Sequence, residues 1–168
     1  QGYNFFTPIQ LASYTATLAN QGKRMKISLL DSIYSYNLDE KLYTFEPEVL
    51  DSFELDQTIW DTVKEGMVEV SRIGTAQYVF ANYPYDVAAK TGTPETTSAP
   101  NAIFIAYAPA DAPQIAVAVV LEKGYYGYNA GVVAKAIFDA YFFPDEPADP
   151  ILPNSSGTTS SQMAQDAS

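Results

Sequence analysis

The chain has 168 residues, of which 9 are Lys or Arg and 20 are Asp or Glu, and its formal net charge at pH 7 is −11. So acidic a surface repels nucleic acid and anionic lipid, which argues against a nucleic-acid partner and predicts no direct membrane contact by this chain. The sequence contains no Cys and no His, the commonest general base and transition-metal ligand, so we expect no cofactor and no metal site.

The first predicted element is a helix that begins at Pro8. Thr7 is a typical N-cap residue, Pro8 suits the first helical position, and Gln10 completes a capping box with Thr7. Residues 20–22 end in a glycine and are typical of the end of a helix. The apolar residues between these limits are mostly small, which predicts close packing against another element; they are Ile9, Leu11, Ala12, Ala16 and Ala19.

A small hairpin and a second helix are predicted next. Residues 27–34 and 42–45 have the composition of two strands, joined around residues 37–40. Asp56 is the expected N-cap of the helix, which ends at residues 72–75. The apolar residues of this helix recur at helical spacing and are Ile59, Val63, Met67 and Val70.

Three further strands and a final helix complete the predicted domain, which spans residues 1–143. The strands are residues 87–93, 102–108 and 115–121, and the last two are apolar on both faces. Helices should therefore cover at least part of each side of their sheet. The final helix is expected at residues 130–143.

The composition changes after the final helix. Residues 144–168 are rich in Pro, Asp, Ser, Thr and Gln and poor in large apolar residues. Such a segment buries too little apolar surface to offset the entropy of ordering it. We therefore predict a disordered acidic and polar tail.

The tetrapeptide Lys90-Thr91-Gly92-Thr93 is the strongest functional signal in the sequence. It places an ammonium group, two hydroxyls and a side-chain-free position on one extended segment, which suits a site that binds a carboxylate and holds a developing oxyanion. A plain alternative is a strand that ends in a turn, with Gly92 for backbone freedom and Lys90 in solvent. No Ser in the chain is followed by Lys three residues later, so no Ser-x-x-Lys nucleophile accompanies the motif. The sequence therefore predicts half of an active site.

Four segments, in order, resemble the C-terminal half of the transpeptidase domain of penicillin-binding proteins. The resemblance extends over residues 1–143 and is closest to the class B enzymes, the monofunctional transpeptidases. It implies an α+β fold of the serine β-lactamase and penicillin-binding-protein type, with an antiparallel sheet flanked by helices. The segments are Gln1-Gly2 with residues 7–12 and 18–22, the Lys90-Thr91-Gly92-Thr93 motif, residues 104–109, and the final helix.

The resemblance also implies a role for each motif residue. Lys90 would supply positive potential for the terminal carboxylate of a substrate and favour the productive protonation state of the neighbouring network. The hydroxyls of Thr91 and Thr93 would bind that carboxylate, and the backbone N–H of Thr93 would be one of two oxyanion-hole donors. Gly92 would let the substrate backbone lie against the strand, where a Cβ would clash. We therefore expect Lys90 and Thr93 to be catalytic and all four residues to bind substrate.

The implied reaction is acyl transfer through a serine ester, carried out by a peptidoglycan D,D-transpeptidase on peptides that end in D-Ala-D-Ala. The expected partners are the peptidoglycan stem peptide, β-lactams and the N-terminal half of the same domain. In the family, the Ser-x-x-Lys motif precedes the segment that matches Gln1, so this chain alone is predicted to be inactive. The parent protein is expected at the extracytoplasmic face of the bacterial membrane, anchored by an N-terminal helix outside this chain.

Three alternative functions remain open. A D,D-carboxypeptidase or a serine β-lactamase belongs to the same superfamily, although residues 7–22 favour the transpeptidase. A non-catalytic module that senses β-lactams or peptides would explain the missing Ser-x-x-Lys. A tyrosine-rich extracellular adhesion module is the third alternative, and it predicts no role for Lys90.

Two other clusters resemble functional sites but have a plainer explanation. Ser35-Tyr36-Asn37 has the form of the family's second motif, Ser-x-Asn. It follows residues 7–12, however, whereas the family places that motif before them, so we predict an ordinary hairpin turn. The second cluster contains three tyrosines, which suit a glycine-punctuated loop beside the groove, with sugar or peptide stacking as the alternative; they are Tyr125, Tyr126 and Tyr128.

The second predicted helix also carries residues that need interpretation. Glu65 and Glu69 lie one helical turn apart and have the spacing of paired acids or of a metal site. A solvated helix face is the interpretation we adopt. Trp60 is expected in the core or half-buried at its border.

Overall fold

The computed structural model describes residues 5–145. Within that range lie four helices, which are α1 (Pro8–Ala19), α2 (Gln57–Arg72), α3 (Gln77–Phe80) and α4 (Gly127–Phe142). The seven strands of the same range are β1 (Lys23–Met25), β2 (Ser32–Tyr34), β3 (Lys41–Thr44), β4 (Val49–Ser52), β5 (Ala88–Gly92), β6 (Ala102–Ala108) and β7 (Ile115–Leu121). Residues 146–168 of the predicted tail lie outside the described residues, so that prediction stays a prediction.

Strands β5, β6 and β7 form one antiparallel sheet in that order, with β6 in the centre. The register aligns Ala89, Ala106 and Val117 across the three strands. The predicted bounds of β6 and β7 are confirmed, whereas β5 is one residue shorter than predicted at each end. Within the described part of the chain, β5 and β7 are the two edges of this sheet.

One face of the sheet packs against α4. Phe104 of β6 and Phe138 of α4 belong to the same buried cluster there and are both 0% exposed. Gly131 of α4 permits this approach, because a Cβ at that position would lie 3.2 Å from Cε2 of Phe104. Phe80 of α3 stacks on Phe104 with ring centroids 5.9 Å apart. The same cluster contains Ala76, Val87, Ala89, Ala102, Ala106, Ala108, Val117, Val119, Ala130 and Ala134.

The opposite face packs against α1 and α2. Neighbouring residues of a strand point to opposite faces, so Ala88 and Tyr107 lie on this side. Met67 and Val68 of α2 are buried in the same cluster. Ala116 of β7 and Leu18 and Ala19 of α1 pack against it. The prediction that helices cover both sides of the sheet is confirmed.

The predicted start and end of α1 are confirmed. Oγ1 of Thr7 accepts a hydrogen bond of 3.4 Å from Gln10 N, while Thr7 N donates to Oε1 of Gln10 at 2.8 Å, which completes the capping box. The helix is capped by Asn20, and Gly22 follows with a φ of +92°. A Cβ at Gly22 would collide with the carbonyl oxygen of Phe53, so only glycine fits where the chain turns into β1.

Residues 23–52 form two small antiparallel pairs, β1 with β4 and β2 with β3. The predicted hairpin corresponds to β2 and β3, but its first strand begins at Ser32 rather than at residue 27. The strands β1 and β4 and the four-residue helix α3 were not predicted from the sequence. Elements of three or four residues carry too little periodicity to be recognised.

Helices α2 and α4 differ in how well their starts are predicted. Asp56 is the N-cap residue of α2 as expected, although its side chain makes no capping hydrogen bond. Helix α4 begins at Gly127, before the predicted start at residue 130, and this glycine packs directly on β5. None of the helices between residues 5 and 145 is both long and apolar enough to cross a membrane.

Candidate active site

The motif Lys90-Thr91-Gly92-Thr93 lies at the end of the edge strand β5. Within residues 5–145, β5 pairs only with β6, so backbone groups on its other edge are available to an extended ligand. Alternation along the strand directs Lys90 and Gly92 to the face that carries α1 and α2, and Thr91 to the face that carries α4. A ligand at the free edge of β5 would therefore meet Lys90 from one face of the sheet and Thr91 from the other.

Lys90 is exposed at this edge. Its Nζ donates a hydrogen bond of 2.7 Å to the carbonyl oxygen of Thr91. Among the residues that the structure describes, no carboxylate forms an ion pair with Lys90. Because a carbonyl carries no net charge, this hydrogen bond leaves the positive charge of Lys90 uncompensated and available to an anionic ligand.

Neighbouring elements hold both threonine hydroxyls of the motif. Oγ1 of Thr91 lies 2.9 Å from Oγ1 of Thr75, in the turn between α2 and α3, and either hydroxyl can be the donor. Oγ1 of Thr93 accepts a hydrogen bond of 3.2 Å from the backbone N–H of Gly127, the first residue of α4. Because Thr93 is the acceptor in that contact, its own hydroxyl proton is free to bind an anion.

Gly92 is not required by the packing of the strand. A Cβ at this position would lie 3.4 Å from Cβ of Ile103, which is an ordinary van der Waals contact, and the φ of Gly92 lies outside the left-handed region. The glycine therefore leaves space that the fold itself does not use.

The start of α4 lies directly against the motif strand. A Cβ at Gly127 would lie 2.9 Å from Cβ of Thr91 and 3.0 Å from the carbonyl oxygen of Gly92. On either side of Gly127, the exposed rings of Tyr126 and Tyr128 stack with centroids 5.5 Å apart. The predicted tyrosine loop thus lies beside the motif, although its last residues belong to the helix.

The other candidates take the positions that their plainer interpretation predicts. Ser35 lies in the connection between β2 and β3, where its Oγ donates to Oδ1 of Asp39 at 2.5 Å and accepts from Glu40 N at 3.1 Å. This connection belongs to a different sheet from the motif strand. Ser35 therefore stabilises a hairpin turn. Trp60 is 8% exposed and belongs to the core, as predicted.

Glu65 and Glu69 form the solvated helix face that the sequence predicts. Both carboxylates lie near Nη1 of Arg72, at 3.2 Å and 3.7 Å, and all three side chains are exposed. Nη2 of Arg72 also donates to Asp86 at 2.9 Å, which ties the end of α2 to the entry of β5. Within residues 5–145, no group of acidic side chains has the arrangement of a metal site.

Two residues that contact the motif, Thr75 and Gly127, are not indicated by the sequence, which predicts only the motif itself. From the sequence alone, Thr75 belongs to a helix end and Gly127 to a loop. Each contacts the motif across a long stretch of chain, 16 residues from Thr75 to Thr91 and 34 residues from Thr93 to Gly127. The sequence offers one local indication for each: Thr75 follows Gly74 where the second predicted helix ends, and Gly127 precedes the predicted final helix.

Comparisons with known proteins identify the family of this chain. The sequence profile of a family described as the penicillin-binding protein transpeptidase domain matches residues 1–142. Penicillin-binding protein 2A of Bacillus subtilis is 32% identical over 160 residues, which are 83% of this chain and 22% of that protein. The peptidoglycan D,D-transpeptidase MrdA of Acinetobacter baumannii is 30% identical over 171 residues, which are 91% of this chain and 25% of that protein.

A solved structure gives the same result for the fold. The imipenem acyl-enzyme complex of penicillin-binding protein A from M. tuberculosis superposes with a TM-score of 0.72 and 29% identity, over 84% of this chain and 32% of that one. The expected α+β fold is therefore confirmed. The chain spans about a quarter of the length of the two relatives named above. It belongs to the family of penicillin-binding protein transpeptidase domains, and within that family to class B.

Proposed function

We propose that this chain forms the C-terminal part of the active site of a peptidoglycan D,D-transpeptidase, with Lys90-Thr91-Gly92-Thr93 as one wall of the substrate groove. The observation that carries the proposal is the edge strand β5. It combines an uncompensated ammonium group, a hydroxyl with a free proton and a glycine that packing does not require. The nucleophilic serine comes from a Ser-x-x-Lys motif that precedes Gln1 in the parent protein.

The proposed reaction is acyl transfer in two steps. The serine Oγ attacks the carbonyl carbon of the penultimate D-Ala and loses its proton to a neighbouring base, and the C–N bond to the terminal D-Ala breaks as its nitrogen takes up a proton. Free D-Ala leaves, and a serine ester remains. The amine of a neighbouring stem peptide then attacks the ester, forms the cross-linking amide and returns a proton to the serine.

The motif residues assist both steps through charge and hydrogen bonding. Lys90 attracts the terminal carboxylate, to which Thr91 and Thr93 donate hydrogen bonds. The backbone N–H of Thr93 binds the oxyanion that forms when the carbonyl carbon becomes tetrahedral. Loss of one such donor costs acyl-transfer enzymes about 10²- to 10³-fold in kcat, so the position of Thr93 matters for rate as well as for binding.

β-Lactams are proposed to acylate the same serine. Structures that align with this chain include imipenem and penicillin G acyl-enzyme complexes of penicillin-binding protein A from M. tuberculosis. A penicillin combines a reactive amide with a carboxylate, which matches the two features of D-Ala-D-Ala that the motif strand would recognise. Lys90 and the two threonines would therefore bind the carboxylate of the drug in place of that of the peptide.

The parent protein is proposed to act at the extracytoplasmic face of the bacterial membrane, anchored by an N-terminal helix outside this chain. The support is the proposed substrate, because the cell wall is assembled outside the membrane. The N-terminal half of the same domain is the proposed structural partner. Its strands would pair with the outer edge of β7, which has no strand partner within residues 5–145.

A non-catalytic β-lactam or peptide sensor is the second candidate function. It would use the same ligand-binding features of β5, the exposed ammonium of Lys90 and the free hydroxyl proton of Thr93, without turnover. A D,D-carboxypeptidase or a serine β-lactamase shares the acylation step but transfers the acyl group to water instead of an amine.

One assay on the full-length protein that contains this chain separates these candidates. The protein is incubated with a stem pentapeptide that ends in D-Ala-D-Ala and with an amine acceptor, and both D-Ala and the amide product are quantified by mass spectrometry. The transpeptidase proposal predicts D-Ala release together with an amide product that increases with acceptor concentration. D-Ala release without amide would indicate a carboxypeptidase, and rapid turnover of penicillin a β-lactamase. Peptide binding without D-Ala release would indicate the sensor.

A further inference from the structure

We propose that Thr75 is a positioning residue that orients the hydroxyl of Thr91 towards the carboxylate of the substrate. This inference rests on the transpeptidase function proposed above. Oγ1 of Thr75 and Oγ1 of Thr91 are 2.9 Å apart, within the range of an O–H···O hydrogen bond. Thr75 lies outside the motif, in the turn between α2 and α3.

The turn that carries Thr75 is fixed by its neighbours. Gly74 N donates to the carbonyl oxygen of Glu69 at 2.8 Å, and Ala76 N donates to that of Val70 at 2.9 Å. A Cβ at Gly74 would lie 2.8 Å from Cα of Val70, so the turn depends on a glycine here. Ala76 is 0% exposed in the cluster beneath α4. The hydroxyl of Thr75 is therefore presented from a well-anchored backbone.

The direction of the hydrogen bond between the two threonines decides what Thr91 can do. A threonine hydroxyl has one proton, so a Thr91 that donates to Thr75 has none left for a ligand. When Thr75 is the donor, the proton of Thr91 is free to bind a carboxylate, and two hydrogen bonds in series strengthen each other. A carboxylate only accepts, so a bound anion selects the second arrangement. Thr75 therefore matters most when the ligand is negatively charged.

The test compares a charged with an uncharged ligand in the full-length protein. Second-order rate constants of acylation are measured for penicillin G and for its methyl ester, which lacks the carboxylate charge. Thr75→Val keeps the branched shape but removes the hydroxyl. We expect it to slow acylation by penicillin G about three- to tenfold, the range for one neutral hydrogen bond, and to leave acylation by the ester nearly unchanged.

Two variants serve as controls. Thr75→Ser restores a hydroxyl at the same position and should recover the acid-to-ester rate ratio of the wild type. Thr62→Val removes a hydroxyl that bonds to the carbonyl oxygen of Thr58 within α2, and should leave both rates unchanged. Thr75→Ala replaces Thr75→Val in the comparison if the valine variant has a lower Tm than the wild type.

The possible failures are distinguishable. An unchanged acid-to-ester ratio in a stable Thr75 variant overturns this inference and leaves the proposed function intact. An equal loss with both ligands also overturns it, since that pattern indicates a general distortion of the site. A wild-type protein that neither ligand acylates overturns the transpeptidase proposal, and the role of Thr75 fails with it.

Discussion

Gly92 occupies the middle of the motif strand, where its own surroundings leave room for a side chain. The nearest atom to a Cβ there would be Cβ of Ile103, at 3.4 Å. Gly22 and Gly127 differ, because a Cβ at either would press against backbone atoms of another element. A glycine inside a strand increases the entropy cost of folding. β5 thus carries a residue that weakens it without a packing reason, as expected if a ligand backbone lies against that position.

Gly92→Ala should separate stability from function. The variant is expected to unfold at the same or a higher urea concentration, with a gain of up to about 1 kcal/mol. Acylation of the full-length protein by a fluorescent penicillin should slow by at least about tenfold, because the new methyl group displaces the bound ligand. Gly66→Ala is the matched control: a Cβ there has no atom within 4 Å, so it should stabilise α2 without changing acylation. A Gly92→Ala protein that is acylated at the wild-type rate would contradict this role.

Residue-level features were predictable from the sequence where they depend on local spacing. The capping box of Thr7 and Gln10 joins residues three positions apart, and the motif is contiguous. The contact between Thr75 and Thr91 depends instead on how α2 and α3 sit against β5. Sequence spacing does not predict how these elements pack, so the contact between Thr75 and Thr91 is evident only in the structure.

Helix α4 links the core to the active site. Phe138 of α4 packs in the core, while the N–H of its first residue, Gly127, donates a hydrogen bond to Oγ1 of Thr93 in the motif. The N-terminus of a helix carries a partial positive charge, which adds to that of Lys90 at the same strand. The position of α4 along the sheet therefore affects the electrostatics of the site as well as its shape.

Gly127→Ala should reduce stability and acylation together. The added Cβ would lie 2.9 Å from Cβ of Thr91 and 3.0 Å from the carbonyl oxygen of Gly92, so the start of α4 must move away from β5. We expect a loss of about 1–3 kcal/mol in unfolding free energy, typical of overpacking, and slower acylation by penicillin as Thr93 loses its partner. Urea unfolding and acylation rates test both effects. Wild-type values for both in this variant would show that the contact is dispensable.

Elements were predictable in proportion to their length and apolar content. Continuous apolar runs gave β6 and β7 their correct bounds, and helical periodicity gave α2. The strands β1 and β4 are short and exposed along their length or nearly so, and left no pattern to recognise. The start of α4 was predicted too late because glycine and tyrosine at positions 127 and 128 are typical of a loop, whereas both belong to the helix in the structure.

At the scale of the whole described domain, a sheet lies between two layers of helices. The layer with α4 contains the larger cluster, in which Phe104 and Phe138 are fully buried. The layer with α1 and α2 lies on the side to which Lys90 points. The larger cluster thus supports the motif strand from the face opposite Lys90. Substitutions in that cluster should lower the free energy of unfolding more than they lower the rate of acylation.

Phe138→Ala tests whether the larger cluster affects stability rather than acylation. Removal of a fully buried phenylalanine should lower the free energy of unfolding by about 3–5 kcal/mol, a large share of the total stability of a typical domain. Protein that remains folded at low temperature should still be acylated at close to the wild-type rate, because Phe138 lies about three helical turns along α4 from Gly127, where the helix contacts the motif. Guanidinium titration and penicillin labelling at 10–15 °C, on the order of the temperature of maximum stability, measure the two quantities. A selective loss of acylation without a loss of stability would place Phe138 in the site instead.

The central claim is that Lys90 belongs to an active site whose nucleophile lies in the segment before Gln1. The most direct test is fluorescent penicillin labelling of the full-length protein, with the labelled serine identified by mass spectrometry. We expect the label on a Ser-x-x-Lys serine before Gln1, and labelling at least about tenfold slower in Lys90→Ala, because a charge-assisted contact with the carboxylate is lost. Lys41→Ala, on β3 in a separate sheet, should be labelled like the wild type. A label on Ser35, or an unchanged rate in Lys90→Ala, would contradict the claim.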